Sequence, residues 1–181
     1  MKVALIVEGP SDKKLLESQT RWFNSIGLDV VIRIAGGKRE MCRGARKFHN
    51  VEKLHGTQKV LFLPDQNGDP CVTFTRRRVG MDKCPCALTV VLKRELEAWI
   101  LADGGAVASV TGRQYEPAGQ TDSILDPKGE LATILGRRLG YRPTEVEVAD
   151  LISEHFSLTR SARCNTSARR FVQEMKRLSG R

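Results

Sequence analysis

The chain has 181 residues, of which 40% are hydrophobic and 28% are charged, and its formal net charge is +9 at pH 7. This length and composition are typical of one globular domain. They exclude a membrane-spanning protein, because no apolar run approaches the roughly 20 residues that a membrane helix needs. The positive charge favours a polyanionic partner, most simply nucleic acid.

Five cysteines, an odd number, argue against a disulfide framework. The N-terminal run is followed at once by acidic and helix-start signals and has no signal-peptide cleavage region, so we expect a cytoplasmic protein. A structural zinc site is a less favoured alternative to free thiols, since the spacing is C-x-C and not C-x2-C. That site would combine Cys71, Cys84 and Cys86 with Cys42, Cys164, His49 or His55.

The first third of the chain predicts two strands, each followed by a helix. "KVALIV" (2–7) is a short, β-branched run typical of a strand buried on both faces. Ser11 is the expected N-cap of a continuous helix that runs through residue 26 and ends at Gly27. "LDVVIRIA" (28–35) is the second predicted strand, and a basic helix enters through two glycines and ends before Gly56.

The middle of the chain repeats this alternation. "QKVLFLPD" (58–65) predicts a third strand that ends on an acid, and a short helix is expected near Pro70. "CALTVVL" (86–92) predicts a fourth strand, and "RELEAWILAD" (94–103) predicts a helix. Alternating strands and helices indicate an α/β fold with a mostly parallel four-stranded sheet and helices on both faces.

The character of the sequence changes after Asp103. A turn-rich stretch that begins with a short helix is followed by three amphipathic helical patterns. We therefore expect an α/β core over residues 1–103 and a helical C-terminal extension over residues 104–181 that packs on the core. The three patterns are "GELATILGRRLGY", "EVEVADLISEHF" and "TSARRFVQEMKRLSG".

Two predicted strands end at acids, Glu8 after the first and Asp65 after the third. Ligands of open α/β sheets bind outside the carboxyl ends of the strands. If the two strands are neighbours, these oxygens meet Asp12, Asn67 and Asp69 at one edge. Such a cluster of like charges needs a cation or protons, and oxygen ligands favour Mg²⁺ or Mn²⁺.

Each acid also has a simpler interpretation. Asp12 alone is more often a helix-start acid, and the stretch from Asp65 to Asp69 alone is a common Asx-type turn. Glu8 is the exception, since a turn after a buried strand gains nothing from glutamate that asparagine or serine would not supply better.

These residues resemble the Toprim domain of topoisomerases, primases and nucleases of the overcoming-lysogenization-defect type. Its signature is a glutamate after strand one and Asp-x-Asp after strand three. "LIVEGPSD" supplies Glu8, with Asp12 matching the extra acid of the nuclease branch, and "LFLPDQN" supplies Asp65. Asn67 stands where the second aspartate of the signature would be.

The chain is more similar still to an uncharacterised Toprim-like bacterial family, a domain of unknown function. The similarity lies in "VEGPSDKKLL", "LPDQNGD", "RELEAWILAD" and the late segment "YRPTEVEVADLI…NTSARRFVQEM", and it covers nearly the whole chain. The resemblance implies a Toprim-like fold and a metal-dependent nuclease-like protein, associated with antiphage defence or mobile elements.

The resemblance also implies roles for individual residues. Glu8 would be the general base or a ligand, and Asp12 and Asp65 would be ligands, with Asp65 part of the catalytic set. Glu97, or less favourably Glu95, would add a carboxylate. Asn67 could coordinate through its amide oxygen but adds no charge, which puts two-metal binding in doubt unless Asp69 takes over.

Basic residues are the candidates for contacts with phosphate. Lys93 or Arg94 could stabilise charge on the phosphate in the transition state, or be exposed rim charges. Lys38, after two glycines, could hold a phosphate at a helix N-terminus. The predicted nucleic-acid contacts, with DNA favoured over RNA, are Lys38, Arg39, Arg76, Arg77, Arg94, Arg169 and Arg170.

Three functions compete at this point. The first is Mg²⁺- or Mn²⁺-dependent hydrolysis of nucleic-acid phosphodiesters. The second is a non-catalytic nucleic-acid- or partner-binding subunit beside an ATPase, which the departure at Asn67 favours. The third, a receiver-like phosphoacceptor, is weakest because Gly9 follows Glu8 where receivers have a second acid. Trp99 and Leu96 are interpreted as core and not as a stacking platform.

Overall fold

The structure is a computed structural model that describes residues 1–81, 84 and 87–180. Within this part of the chain, four parallel strands form one sheet in the order β2-β1-β3-β4. The predicted α/β class with a parallel sheet is confirmed. The strands are β1 (Lys2–Val7), β2 (Asp29–Ile34), β3 (Lys59–Leu63) and β4 (Leu88–Thr89).

The helices follow the strands and then fill the C-terminal part of the chain. They are α1 (Pro10–Glu17), α2 (Thr20–Ser25), α3 (Lys38–Leu54), α4 (Val72–Arg76), α5 (Glu97–Ala102), α6 (Gly104–Thr111), α7 (Pro127–Leu139), α8 (Glu145–Ser153), α9 (Leu158–Cys164) and α10 (Thr166–Leu178). A π-helical turn (Arg77–Met81) follows α4, and a 3-10 turn (Thr121–Ser123) precedes α7.

Side chains of the central strand β1 alternate between two hydrophobic clusters, as the period-2 geometry of a strand requires. Val3, Leu5 and Val7 join one cluster, which includes residues of α1, α2 and α5. Ala4 and Ile6 join the other, which includes residues of α3 and β3. The sheet is therefore covered on both faces, and this explains the continuous apolar run that predicted β1.

The helices after Asp103 contribute to the first of these clusters, together with β1 and α5. Trp99 of α5 is fully buried there, and its ring lies 5.3 Å from that of Phe171 in α10. The Trp99 indole N–H donates to Ser167 Oγ at 2.8 Å. Trp99 is thus a core residue, as its helical spacing predicts, and it joins the C-terminal helices to the sheet.

The prediction of one helix through residue 26 is wrong, because the chain forms α1 and α2 with a break at Ser18 and Gln19. Gln19 is buried, and its side-chain amide donates to Phe156 O and accepts from Leu158 N. The Gln19 side chain thus satisfies backbone hydrogen-bonding groups of a loop that lies 137 positions later in the sequence. No local sequence pattern reveals this contact.

The predicted N-cap Ser11 is also wrong. α1 begins earlier, with Gly9 as its N-cap and Pro10 as its first residue. Asp12 Oδ2 accepts the Gly9 N–H at 2.9 Å, so Asp12 stabilises the start of the helix. Its simpler interpretation as a helix-start acid therefore holds.

Two predicted boundaries near the site shift. Of the strand predicted over residues 86–92, the structure shows β4 (Leu88–Thr89). After β4, Leu92 pairs with Asp65 in an isolated parallel bridge. Cys86, at its predicted start and in the zinc alternative, lies outside the described residues. The helix predicted from residue 94 begins at Glu97, because Arg94 has a left-handed backbone (φ 74°) that cannot continue into a helix.

α9 was not predicted from the sequence; its N-cap is Ser157, whose hydroxyl accepts from Arg160 N. In the part of the chain that the structure describes, no helix is both long and apolar enough to cross a membrane.

Candidate active site

The strand ends bring Glu8 and Asp65 together, although 57 positions separate them in the sequence. β1 and β3 pair in parallel with Val7 opposite Leu63, so both chains leave the sheet at the same edge. The Asp65 backbone N–H donates to Glu8 Oε1 at 2.9 Å. The two residues therefore meet at the carboxyl edge of the two central strands, where open α/β sheets bind ligands.

Asp65 lies in a cluster of carboxylates. Its Oδ1 is buried and has no hydrogen-bond partner among the described residues, while the residue as a whole is half-buried. Burial is the main cause that raises the pKa of Asp65 well above its ordinary value. Repulsion adds to it, and the carboxylates responsible are Asp12, Glu8, Glu97 and Glu95.

Glu8 and Asp12 are shifted in the same direction. Burial raises the pKa of Glu8, and the hydrogen bond from Asp65 N–H and the charge of Lys38 partly offset that rise. Burial likewise raises the pKa of Asp12, and the hydrogen bond from Gly9 N–H opposes it. Each of these carboxylates is therefore harder to ionise in the folded protein than in water. A bound cation would favour the ionised form and so lower the pKa of each group.

Glu97 completes the set from the first position of α5, where it is buried. Burial raises the pKa of Glu97 to about 7; the charge of Lys128 opposes the rise, while Glu95 and Asp12 add to it. We call Glu8, Asp12, Asp65, Glu95 and Glu97 the carboxylate cluster.

Lys128, near the start of α7, is a site residue that the sequence does not predict. Burial alone would lower its pKa, but attraction to Glu97 and the bond to Glu145 raise it above the ordinary value of 10.5. The Lys128 ammonium lies 3.1 Å from Glu145 Oε1. Its only sequence signal, a lysine after an Asp-Pro helix start, says nothing about α1 or α5, so sequence alone could not have placed it here.

Two predicted ligands, Asp69 and Asn67, already have side-chain partners of their own. Burial would raise the pKa of Asp69, but hydrogen bonds from Thr75 and Arg78 lower it. Its carboxylate also forms an ion pair with Lys38 at 3.3 Å. Asn67 donates its side-chain amide to Glu95 Oε1 at 2.6 Å. The structure therefore places Asn67 beside the carboxylate cluster and gives Asp69 its own cationic partners.

The chemistry of the cluster fits a hard divalent cation. It offers oxygen donors alone, one of them the buried Asp65 Oδ1 without a hydrogen-bond partner. Across residues 1–81, 84 and 87–180, no group of three or more His, Cys, Asp or Glu side chains is arranged to hold a metal ion as it stands.

The predicted phosphate-binding residues at this edge differ in what they contact. Lys93 is exposed, and it follows Leu92 directly after the bridge to Asp65. Arg94 is half-buried and is the only non-glycine residue with positive φ in the described part of the chain. Lys38 Nζ donates to the backbone carbonyls of Gln66 and Asn67, so it ties this loop to α3.

The remaining predicted nucleic-acid contacts are Arg39, Arg76, Arg77, Arg169 and Arg170. Arg39 and Arg77 are exposed. Arg169 donates from its guanidinium to the carbonyls of Ala162 and Arg163, at the end of α9.

Arg76 and Arg170 line one groove beside β4, together with Arg177, which is paired with Glu174. The groove has a volume of about 480 Å³. It gathers three arginines from α4 and α10, which are far apart in the sequence, and forms the candidate track for a phosphate backbone.

Comparisons with protein-family models, with curated proteins and with solved structures found no match to this chain.

Proposed function

We propose that this protein is a Toprim-like, Mg²⁺- or Mn²⁺-dependent nuclease that hydrolyses phosphodiester bonds of nucleic acid, DNA more readily than RNA. The observation that carries the proposal is the cluster of partly or fully buried carboxylates around Asp65 Oδ1, at the carboxyl ends of β1 and β3. Repulsion among these groups is costly without a cation, and the net charge of +9 suits a polyanionic substrate.

Asp65, Glu8 and Glu97 are the residues that would hold the metal, with Asp12 beside them. A bound divalent ion of this kind supplies Lewis acidity toward phosphate oxygens and lowers the pKa of water. Glu8 has the raised pKa of a group that can accept a proton from water, and the Asp65 N–H fixes the position of its carboxylate. Lys128 and Lys93 are cations that can offset charge on the phosphate.

The experiment is a cleavage assay on labelled single- and double-stranded DNA and RNA, with Mg²⁺, Mn²⁺ or EDTA. We expect metal-dependent cleavage that falls at least about a hundredfold in Asp65→Asn and Glu8→Gln. Asp29→Asn is the matched control, since Asp29 is an exposed acid at the opposite, amino end of the sheet. Intact substrates under every condition, or equal rates in Asp65→Asn and Asp29→Asn, would refute the proposal.

A second candidate is a non-catalytic nucleic-acid- or partner-binding subunit of an ATPase-containing complex. Asp69 favours it, because its ion pairs with Lys38 and Arg78 leave the second acid of the loop unavailable to a metal. Co-purification with an ATPase, followed by full activity of that complex carrying Asp65→Asn, would support this candidate over the nuclease. A place in antiphage or mobile-element defence is open to either function.

A further inference from the structure

A pocket next to the carboxylate cluster lies between α7 and α8. This pocket has a volume of about 580 Å³, within the range of small-molecule sites. Leu131 and Ala132 of α7 form one side, and Pro143 and Val148 form another. We call it the α7–α8 pocket; the C-terminal helices build most of it, although the sequence predicts the site from the α/β core alone.

The α7–α8 pocket is continuous with the carboxylate cluster. Glu97 belongs to the cluster and also lines the pocket. Lys128 lines the pocket too. Asp12, another member of the cluster, is close enough for its pKa to be lowered by Lys128 and raised by Glu145 of the pocket wall. A molecule in the pocket would therefore lie directly beside the cluster.

The pocket combines apolar walls with charged side chains of both signs. Lys128 and the exposed Arg142 line it, and so do the acids Glu97, Asp126 and Glu145. Lys128 is paired with Glu145 at 3.1 Å. A free inorganic anion would satisfy the cations but leave the apolar walls unused, and a purely apolar ligand would do the reverse. A nucleotide has both parts, since the base can pack on the apolar walls while the phosphate meets the cations.

We infer that the α7–α8 pocket holds one unpaired nucleotide of the substrate strand, with its base against Leu131 and Val148 and its phosphate at Lys128 and Arg142. This inference rests on the proposed nuclease function. A base that is stacked and paired in a duplex cannot enter a pocket, so the preferred substrates are single strands, frayed ends or flaps.

Binding of dAMP with Mg²⁺, measured by calorimetry on the full chain, tests the pocket separately from catalysis. The variant is Val146→Trp, because Val146 lines the pocket and is 51% exposed, so the larger ring narrows the mouth without a cost in the core. The control is Val51→Trp, a valine of α3 that is 39% exposed and lines a different surface. We expect about a tenfold weaker affinity in Val146→Trp alone; no binding of dAMP, or equal affinities in both variants, overturns the inference.

Cleavage of oligonucleotides distinguishes a nucleotide of the substrate strand from a free nucleotide. We expect single strands to be cut at least about tenfold faster than blunt duplexes, and Val146→Trp to abolish most of that preference. Cleavage that is indifferent to strandedness and to Val146→Trp overturns the inference and leaves the nuclease function standing. Specific dAMP binding without any cleavage overturns the nuclease function. It also overturns the inference that the bound nucleotide belongs to a substrate strand, and the pocket is then a site for free nucleotides.

Discussion

Replacing Glu97 by glutamine should make the protein more stable at neutral and alkaline pH. Glu97 is only 9% exposed, and burial raises the pKa of its carboxyl from 4.5 to about 7. A folded-state pKa above the unfolded value means that the native state binds the proton more tightly. The stability contributed by the protonated group is fully present below about pH 4.5 and is lost as the pH rises through 7.

The size of the effect follows from the shift. The interval from 4.5 to about 7 corresponds to roughly 3.5 kcal/mol of destabilisation by the ionised carboxylate, at about 1.4 kcal/mol per pKa unit. Glutamine has nearly the same shape and no charge. We therefore expect Glu97→Gln to match the native protein in free energy of unfolding near pH 4 and to exceed it by roughly 3 kcal/mol at pH 8.

Urea unfolding in EDTA, followed by tryptophan fluorescence between pH 4 and pH 8.5, measures this difference. Glu154→Gln is the matched control, because Glu154 is an exposed glutamate at the end of α8. Two results would refute the burial of an ionisable carboxyl at this position. One is a difference in free energy of unfolding between Glu97→Gln and the native protein that does not change with pH. The other is a native protein that is more stable than Glu97→Gln at pH 8.

Three further perturbations test other parts of the structure. Trp99→Ala should lower the free energy of unfolding by about 3–5 kcal/mol in urea titrations, more than the same change at half-buried Trp22, and equal losses would contradict the core position of Trp99. Arg94→Gly should leave the free energy of unfolding unchanged or raise it by up to about 1 kcal/mol in thermal unfolding, because glycine accepts the positive φ. A decrease of more than about 1 kcal/mol would show that the Arg94 side chain stabilises the fold. Lys128→Met should move the pKa of Glu97 upward from about 7 in a ¹³C-detected NMR titration, since the opposing charge is gone, and an unchanged or lower pKa would separate Lys128 from the cluster.

The sequence predicts the central part of the fold because its signals are local. A continuous apolar run of strand length indicates a strand buried on both faces, and β1 and β3 have this environment. Glu8 and Asp65 follow these strands directly, so their meeting needs only that the two strands be parallel neighbours.

The rest of the site depends on contacts between distant segments. Lys128 reaches the carboxylate cluster only through the packing of α7, and Gln19 interrupts a helix to bond a loop near residue 157. Asp69 looks like a ligand in the sequence, whereas Lys38 and Arg78 turn it into the centre of an ion-pair network. Local spacing does not distinguish these outcomes.

A titration with Mn²⁺, read by electron paramagnetic resonance of the free ion, examines the carboxylate cluster without any substrate. If the acids at the strand ends bind a divalent cation, the native protein and the Asp29→Asn control will bind Mn²⁺ at neutral pH. The affinity of Asp65→Asn for Mn²⁺ will be at least about tenfold lower. Equal uptake by all three proteins, or none by the native chain, would mean that the cluster does not bind a divalent ion.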